Sequence, residues 1–219
     1  MKNSNLDKEL MAAVWSPGIK DSPLKFVKFI FEWDKPGTPL EGFKGPRKWQ
    51  EKILLDLERH IARNQGNLDP EMFRQAVASG RGIGKSALVA WIILWMLSTR
   101  LGSTTIVTAN TEQQLRSRTW AELGKWLTLS INGYWFKKAA TTIRPTAWFE
   151  EALKKDLKID TGYYYAQAQL WSEESPDAFA GVHSNYGICL IMDEASGIPG
   201  PIYSVSVSYT HLRAHETPV

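Results

Sequence analysis

A glycine-rich run in the first half of the sequence has residue types that suit a phosphate ligand. Gly80, Gly82 and Gly84 alternate with other residues and lead directly into Lys85 and Ser86. Glycine lets a backbone approach a ligand closely and adopt positive φ, and the N–H groups at a helix start attract anions. A lysine at this point reaches the β- and γ-phosphates, and the next hydroxyl ligates Mg²⁺. The run therefore predicts a magnesium-nucleotide site.

The run departs from the common pattern G-x-x-x-x-G-K-[ST] at its first position, where Ser79 replaces glycine. Arg81 and Ile83 complete the phosphate loop, and both are assigned to nucleotide binding together with the glycines. Residues 75–78 predict a short buried strand, and residues 85–98 predict a helix that is apolar on every face. A strand, a loop and a helix in this order are what the motif requires. The alternative is a glycine-rich loop whose lysine and serine only face solvent.

Two carboxylates follow a second apolar run, Ile188–Met192, far downstream. Such a run is typical of a central parallel strand buried on both faces. Ligands bind at the carboxyl ends of strands in open α/β sheets. We expect Asp193 to hold Mg²⁺ together with Ser86, and Glu194 to polarise the attacking water. A glutamate directly after the aspartate favours hydrolytic ATPases, whereas the alternative is a strand that ends in solvated acids.

Hydrophobic spacing and capping residues predict the elements around these two motifs. In chain order they are a helix from Ser22 that stops near Gly37, a helix from Pro46 to a breaker at residues 64–67, a strand at Thr104–Thr108, a helix at residues 111–129 and a strand at residues 163–171. Residues 132–160 have no clear pattern.

The expected fold class is α/β, a P-loop NTPase of the ASCE/RecA-like type with a mostly parallel sheet flanked by helices. Residues 1–66 are expected to form a helical N-terminal extension, and residues 67–206 an ATPase core that is incomplete at its C-terminal end. Residues 207–219 resemble the translation of a transposase adapter used in sequencing libraries. We therefore expect a non-native tail after Ser206 and exclude its side chains from the site, although an ordinary polar tail is the alternative.

The composition of the chain places only broad limits on its partners and its compartment. The 219 residues carry a formal net charge of +3, which is compatible with a nucleic-acid partner but is too small to argue for one. The single cysteine, Cys189, cannot form an internal disulfide and indicates a core residue in a reducing compartment. The longest apolar run has 11 residues, at positions 87–97, so no membrane-spanning helix is expected.

Several segments together resemble the ATPase domain of the large terminase subunit of tailed bacteriophages and prophages. The matching segments are residues 31–33, 36–40, 45–50, 79–86 (Ser79-Gly80-Arg81-Gly82-Ile83-Gly84-Lys85-Ser86), 177–183 and 193–198. The resemblance implies an ATPase motor that uses ATP and Mg²⁺ to package double-stranded DNA into proheads in the host bacterial cytoplasm. It also implies a portal protein, a small terminase subunit and other copies of the chain as partners.

The resemblance also implies roles for individual residues. Trp49 and Gln50 lie where the family recognises adenine, but Trp49 as a core residue and Gln50 as a helix-surface residue are the alternative. Arg81 is expected to act in catalysis by contacting a phosphate or a neighbouring subunit's nucleotide, or else is a solvated loop residue. Residues 108–111 resemble a segment of helicase-like motors that can contact nucleic acid, or they cap a helix through Asn110 or Thr111. His183 is either a γ-phosphate sensor or structural.

Two other functions stay open. A helicase-like P-loop DNA motor shares the same phosphate chemistry. A non-catalytic, nucleotide-gated DNA-binding module would keep the phosphate loop and use Glu194 only structurally. The nuclease carboxylates and the coupling motif of the terminase family cannot be placed after Pro201, so we expect this chain alone not to cut DNA and to couple hydrolysis poorly.

Overall fold

A five-stranded mixed sheet lies at the centre of the computed structural model, which describes residues 5–67, 70–78, 80, 82–172, 184 and 186–200. The strands lie in the order β2-β3-β4-β1-β5. Their bounds are β1 Thr104–Thr108, β2 Phe136–Lys138, β3 Thr142–Pro145, β4 Tyr165–Ala168 and β5 Ile188–Met192. Strand β1 pairs in parallel with β4 and β5, whereas β3 pairs antiparallel with β2 and β4. The α/β class is confirmed.

The expectation of a mostly parallel sheet is wrong on one side of the sheet. Strands β2 and β3 form an antiparallel hairpin within residues 132–160, where the sequence has no clear pattern. The hairpin closes through a two-residue turn, because Ala139 N donates to Thr142 O at 2.7 Å. Strands of three and four residues are too short for an alternation that could be recognised in the sequence.

The helices account for most of the remaining described structure. Their bounds are α1 Asn5–Trp15, α2 Pro17–Lys20, α3 Pro23–Ile30, α4 Lys48–Asn64, α5 Lys85–Thr99, α6 Glu112–Gln114, α7 Ala121–Leu129 and α8 Ala147–Leu157, with a π-helical turn at Leu115–Trp120 between α6 and α7. Along the described part of the chain, no helix has both the length and the apolar character needed to cross a membrane.

The predicted apolar helix after the glycine-rich run is confirmed as α5. It contacts α3 and α7 and packs on strands β1, β4 and β5. Trp91 and Ile93 lie on opposite sides of the helix, and both are almost fully buried. A helix surrounded in this way has no need for a polar face, which explains its uniform hydrophobicity.

The N-terminal helices join the same hydrophobic core as α5. Helix α3 begins as predicted, because Ser22 Oγ accepts a hydrogen bond from Lys25 N at 3.2 Å and Pro23 follows the cap. It ends at Ile30 rather than near Gly37. The reason is tertiary, since Phe31 is extended and forms an antiparallel bridge with Ser130 beside α7.

The strand predicted at residues 75–78 is wrong. These residues have no regular structure and are exposed. The side chain of Gln75 donates only to the neighbouring carbonyl of Ala76, at 2.8 Å. A backbone without a neighbouring strand must bond to water, so this segment lies at the surface.

Strand β5 forms as predicted but is not buried on both faces. All five of its residues are half-buried, and β1 is its only strand neighbour among the described residues. One face packs against the main core through Cys189 and Ile191. On the other face, Leu190 and Met192 pack against Ile106 and Ile198 in a smaller cluster.

Cys189 gives a direct test of this packing. Burial raises the pKa of its thiol to about 12. Because only the thiolate is nucleophilic, we expect alkylation by iodoacetamide at mildly alkaline pH to be slower in the folded protein than in concentrated urea by at least about a hundredfold. Equal rates, followed by mass spectrometry, would contradict the placement of β5.

Candidate functional site

The carboxyl end of β5 brings the two predicted acids beside the end of β1. The parallel register pairs Thr108 with Met192, and the ladder continues by one bond from Asp193 N to Thr108 O at 2.8 Å. One carboxylate oxygen of Asp193 accepts from the hydroxyl of Thr119, and the other accepts from Glu194 N at 3.0 Å. Asp193 therefore lies at the predicted edge of the sheet and is oriented by two hydrogen bonds.

Glu194 is held at three points. Its backbone is left-handed, with φ 52° and ψ 44°. Arg118 Nη1 donates to Oε1 at 2.8 Å, and Gln114 Nε2 donates to Oε2 at 2.7 Å. Asn110 Nδ2 donates to the backbone oxygen of Glu194 at 3.0 Å. Both carboxylate oxygens thus have protein partners from a single helical stretch.

The π-helical turn explains why these partners converge. Hydrogen bonds in a π-helix span five residues, so side chains five apart lie on one face. Gln114 and Thr119 have this spacing, with Arg118 between them, and all three bond to the acids. These three residues were not anticipated, because single polar residues on a predicted helix look solvated and the sequence gives no signal for a π turn.

Thr111 and Asn110 have different roles at the start of this helical stretch. Thr111 is the N-cap of α6, where its hydroxyl accepts from Gln114 N at 3.2 Å, so the capping interpretation is confirmed for this residue. Asn110 instead bonds across to the backbone of Glu194. Its side chain therefore links the end of β1 to the turn after β5.

The glycine-rich loop has the backbone conformation that its sequence indicates. Gly82 and Gly84 have positive φ, 75° and 92°, and Gly84 is the N-cap of α5. A Cβ at Gly80 or Gly82 would meet nothing within 4 Å, so the backbone is open to an incoming group. Lys85 Nζ donates to Gly80 O at 3.0 Å and folds over the loop.

Helix α4 contacts this loop through its first turn. Gln50 is only 3% exposed, so it is not a helix-surface residue. Its Nε2 donates to Gly84 O at 2.8 Å, and its Oε1 accepts from Arg47 N at 2.8 Å. Arg47 Nη1 donates to Ile83 O at 3.1 Å. These contacts fix the position of the loop. They do not test adenine recognition by Gln50, which stays a prediction.

Trp49, the neighbour of Gln50, is half-buried against the main core. Its indole N–H is buried and has no hydrogen-bond partner among the described residues. The core interpretation therefore describes the ring, including its buried nitrogen.

The loop and the acids are brought to one side of the sheet by α5. This helix of 15 residues ends at Thr99, and the short connection to Thr104 makes it run back across the sheet on which it packs. Its length of about 22 Å exceeds the roughly 17 Å of β1, so its start lies towards the edge where Asp193 lies. Within the described residues, no hydrogen bond joins Ser86 to Asp193.

The predicted magnesium ligands at this edge are Ser86 and Asp193. No group of three or more histidine, cysteine, aspartate or glutamate residues that could hold a metal occurs in the described part of the chain. Ser86 and Asp193 would supply two oxygen ligands, and phosphate and water oxygens would complete the shell of Mg²⁺. Ser79, Arg81 and residues 177–183, including His183, lie outside the described residues, so their predicted roles stay predictions.

Comparison with known proteins adds no assignment to this geometry. No protein-family model, no curated protein and no solved structure matches the chain. A functional interpretation therefore depends on the residues at this edge of the sheet and on the resemblance of the sequence segments.

The loop contact of Gln50 can be tested against its predicted adenine contact. We expect Gln50→Ala to lower the free energy of unfolding by about 1–3 kcal/mol, because its hydrogen bonds to Gly84 O and from Arg47 N are both lost, although Gly84 O keeps a bond from Leu88 N. We also expect the affinities for fluorescent ATP and GTP analogues to fall by the same factor, since the loop carries no base selectivity. A loss confined to ATP would instead support adenine recognition.

Proposed function

We propose that this chain is the ATPase motor domain of a phage terminase large subunit, with a P-loop NTPase fold of the ASCE/RecA-like type. The observation that carries the proposal is the glycine loop with positive φ at Gly82 and Gly84, which runs directly into a buried helix with Lys85 and Ser86 in its first turn. This combination of open backbone, helix N-terminus and lysine is suited to a triphosphate.

Each residue at the sheet edge has a distinct task in this proposal. The N–H groups of the loop and Lys85 bind the β- and γ-phosphates, and Arg81 neutralises charge on them. Ser86 and Asp193 hold Mg²⁺, which neutralises the charge that develops on the phosphate oxygens. Glu194 orients the attacking water and takes up its proton. Thr119 keeps one oxygen of Asp193 hydrogen-bonded and so fixes the direction of the other.

The terminase assignment draws on the ordered series of resembling segments around these motifs. In that role the domain translocates double-stranded DNA into proheads, works with a portal protein and a small terminase subunit as a homo-oligomer, and acts in the host bacterial cytoplasm. A helicase-like DNA motor shares the loop and the acids, and differs in the domains with which this core acts.

Two contacts favour a second candidate, the non-catalytic nucleotide-gated module. Each carboxylate oxygen of Glu194 accepts one hydrogen bond, from Arg118 and from Gln114. These bonds tie the turn after β5 to the helical stretch, which is the structural role that this candidate gives to Glu194. The second lone pair of each oxygen can still accept a bond from water, so the contacts do not exclude hydrolysis.

Nucleotide binding and phosphate release separate the two candidates. We expect Lys85→Ala to weaken binding of a fluorescent ATP analogue by at least about tenfold, because a charge-assisted contact is lost. Glu194→Gln should retain binding and lower the rate of phosphate release by about a hundredfold or more. Glu112→Gln, an exposed acid of α6 paired with Arg116, is the matched control and should change neither quantity.

Each candidate predicts a different pattern for these variants. Tight ATP binding without phosphate release in the unsubstituted chain, unchanged by Glu194→Gln, would support the non-catalytic module. Phosphate release that persists in Lys85→Ala would contradict the site itself.

A further inference from the structure

The hairpin formed by β2 and β3 presents three basic side chains to solvent. Lys137, Lys138 and Arg144 are all exposed. We call residues 136–145 the basic hairpin. The same strands bury Phe136 and Ile143 in the main core, so Lys137 and Arg144 lie on the opposite face of the sheet. Lys138 shares the face of Ile143 and reaches solvent along α7 at the edge of the sheet.

Two of these charges lie directly opposite each other. The antiparallel register pairs Lys137 with Arg144. Like charges in this position repel and destabilise a sheet. Over the described residues, no ion pair includes Lys137, Lys138 or Arg144. The repulsion is therefore not relieved by a protein carboxylate within ion-pair distance.

Glu150, the acid whose pKa responds to the charge of Arg144, already accepts other hydrogen bonds. Glu150 on α8 has its pKa lowered, first by its hydrogen bonds from Lys154 and Thr161 and to a smaller extent by the charge of Arg144. Lys154 Nζ donates to Glu150 Oε1 at 2.8 Å. The basic hairpin thus keeps an uncompensated positive charge that an external anion can neutralise.

The charged side chains are supported by their surroundings. The guanidinium of Arg144 lies 4.8 Å from the ring centre of Tyr165 on the neighbouring strand. The stem of Lys138 passes Gly124 of α7, where an added Cβ would lie only 2.9 Å from Lys138 Cε. A glycine at this position gives the lysine room to lie along the helix, which limits the conformations its amine explores.

The turn of the basic hairpin lies at the same edge of the sheet as the acids. Ala168 N, at the end of β4, donates to Thr141 O at 2.8 Å. The π-helical turn is bonded to the hairpin too, because Trp120 Nε1 donates to Ala139 O at 3.2 Å. Trp120 follows Thr119, the partner of Asp193. The turn of the basic hairpin and Asp193 are therefore both bonded to the same π-helical turn.

We propose that the basic hairpin binds the phosphate backbone of double-stranded DNA through Lys137, Lys138 and Arg144. The inference rests on the DNA partner of the proposed function and names the surface of this domain that contacts it. The competing explanation is that lysines protect the exposed edge of β2 from pairing with another chain. This explanation accounts for Lys137 and Lys138 but not for Arg144, because β3 has a strand on each side and has no exposed edge to protect. The contact of Arg144 with Tyr165 holds the guanidinium but does not neutralise its charge.

The test measures the anisotropy of a labelled DNA duplex of about 30 base pairs titrated with the full chain between about 50 and 200 mM salt. The hairpin variant carries Lys137→Gln, Lys138→Gln and Arg144→Gln. The control variant carries Lys8→Gln, Lys25→Gln and Lys52→Gln, three exposed lysines on α1, α3 and α4, so that both variants have the same net charge. Thermal unfolding of each variant reports on folding.

We expect the hairpin variant to lose at least about tenfold in affinity, and its salt dependence, log K against log salt concentration, to become shallower by about 2.7. The control variant should keep both values near those of the unsubstituted chain. If the hairpin variant does not fold, the three single glutamine variants replace it, each with an expected decrease in slope of about 0.9.

Three results would overturn the inference. The first is an unsubstituted chain that does not bind the duplex, and the second is an equal loss in both triple variants. The third is a hairpin variant that self-associates while its DNA affinity is unchanged, which would support edge protection instead. Phosphate release by the unsubstituted chain without DNA reports separately on the nucleotide site, so failure of the proposed ATPase and failure of this surface are distinguishable.

Discussion

The parallel pairing of β1 with β5 is the constraint on which the candidate site depends. Because the register pairs Thr108 with Met192, the next residue on each strand leaves the sheet at the same edge. The bond from Asp193 N to Thr108 O extends the pairing just far enough to fix the first acid. A shift of the register by one residue would turn Asp193 to the opposite face of the sheet and away from Thr119. The position of every other polar group at this edge follows from that pairing.

Long, strongly apolar segments were predictable from the sequence. Helix α5 and the apolar run of β5 form where they were predicted, and so does β1, whose five residues are all β-branched threonine, isoleucine and valine that favour strands. Residues 75–78 were not predictable in the same way. Four residues are too few to form a buried strand without a neighbour. Whether they form one depends on another strand being available to pair with them.

The candidate residues of the site were also predictable from the sequence, but their hydrogen-bond partners were not. Lys85 and Asp193 are recognisable from the segments around them. The contacts of Gln114, Arg118 and Thr119 form only when a π turn brings these side chains to one face of the helix. That face lies beside the end of β5, which is some 70 residues away in the sequence. Local propensity contains no information on such a contact, because its energy comes from tertiary packing.

Protein groups bond to both halves of the candidate site, the glycine-rich loop and the two acids. These bonds affect how a ligand would bind. Gln50 bonds the loop, while the amine of Lys85 bonds Gly80 O. On the acidic side, Asp193 and Glu194 have their oxygens occupied by the π turn and by the adjacent backbone. Each carboxylate oxygen has a second lone pair, so a cation can bind without breaking these bonds. A phosphate that takes the amine of Lys85 replaces its bond to Gly80 O, so only the difference between the two bonds contributes to affinity. Because the bonds to the acids come from one helical stretch that also contacts the basic hairpin through Trp120, the energy of releasing Glu194 depends on the position of that stretch.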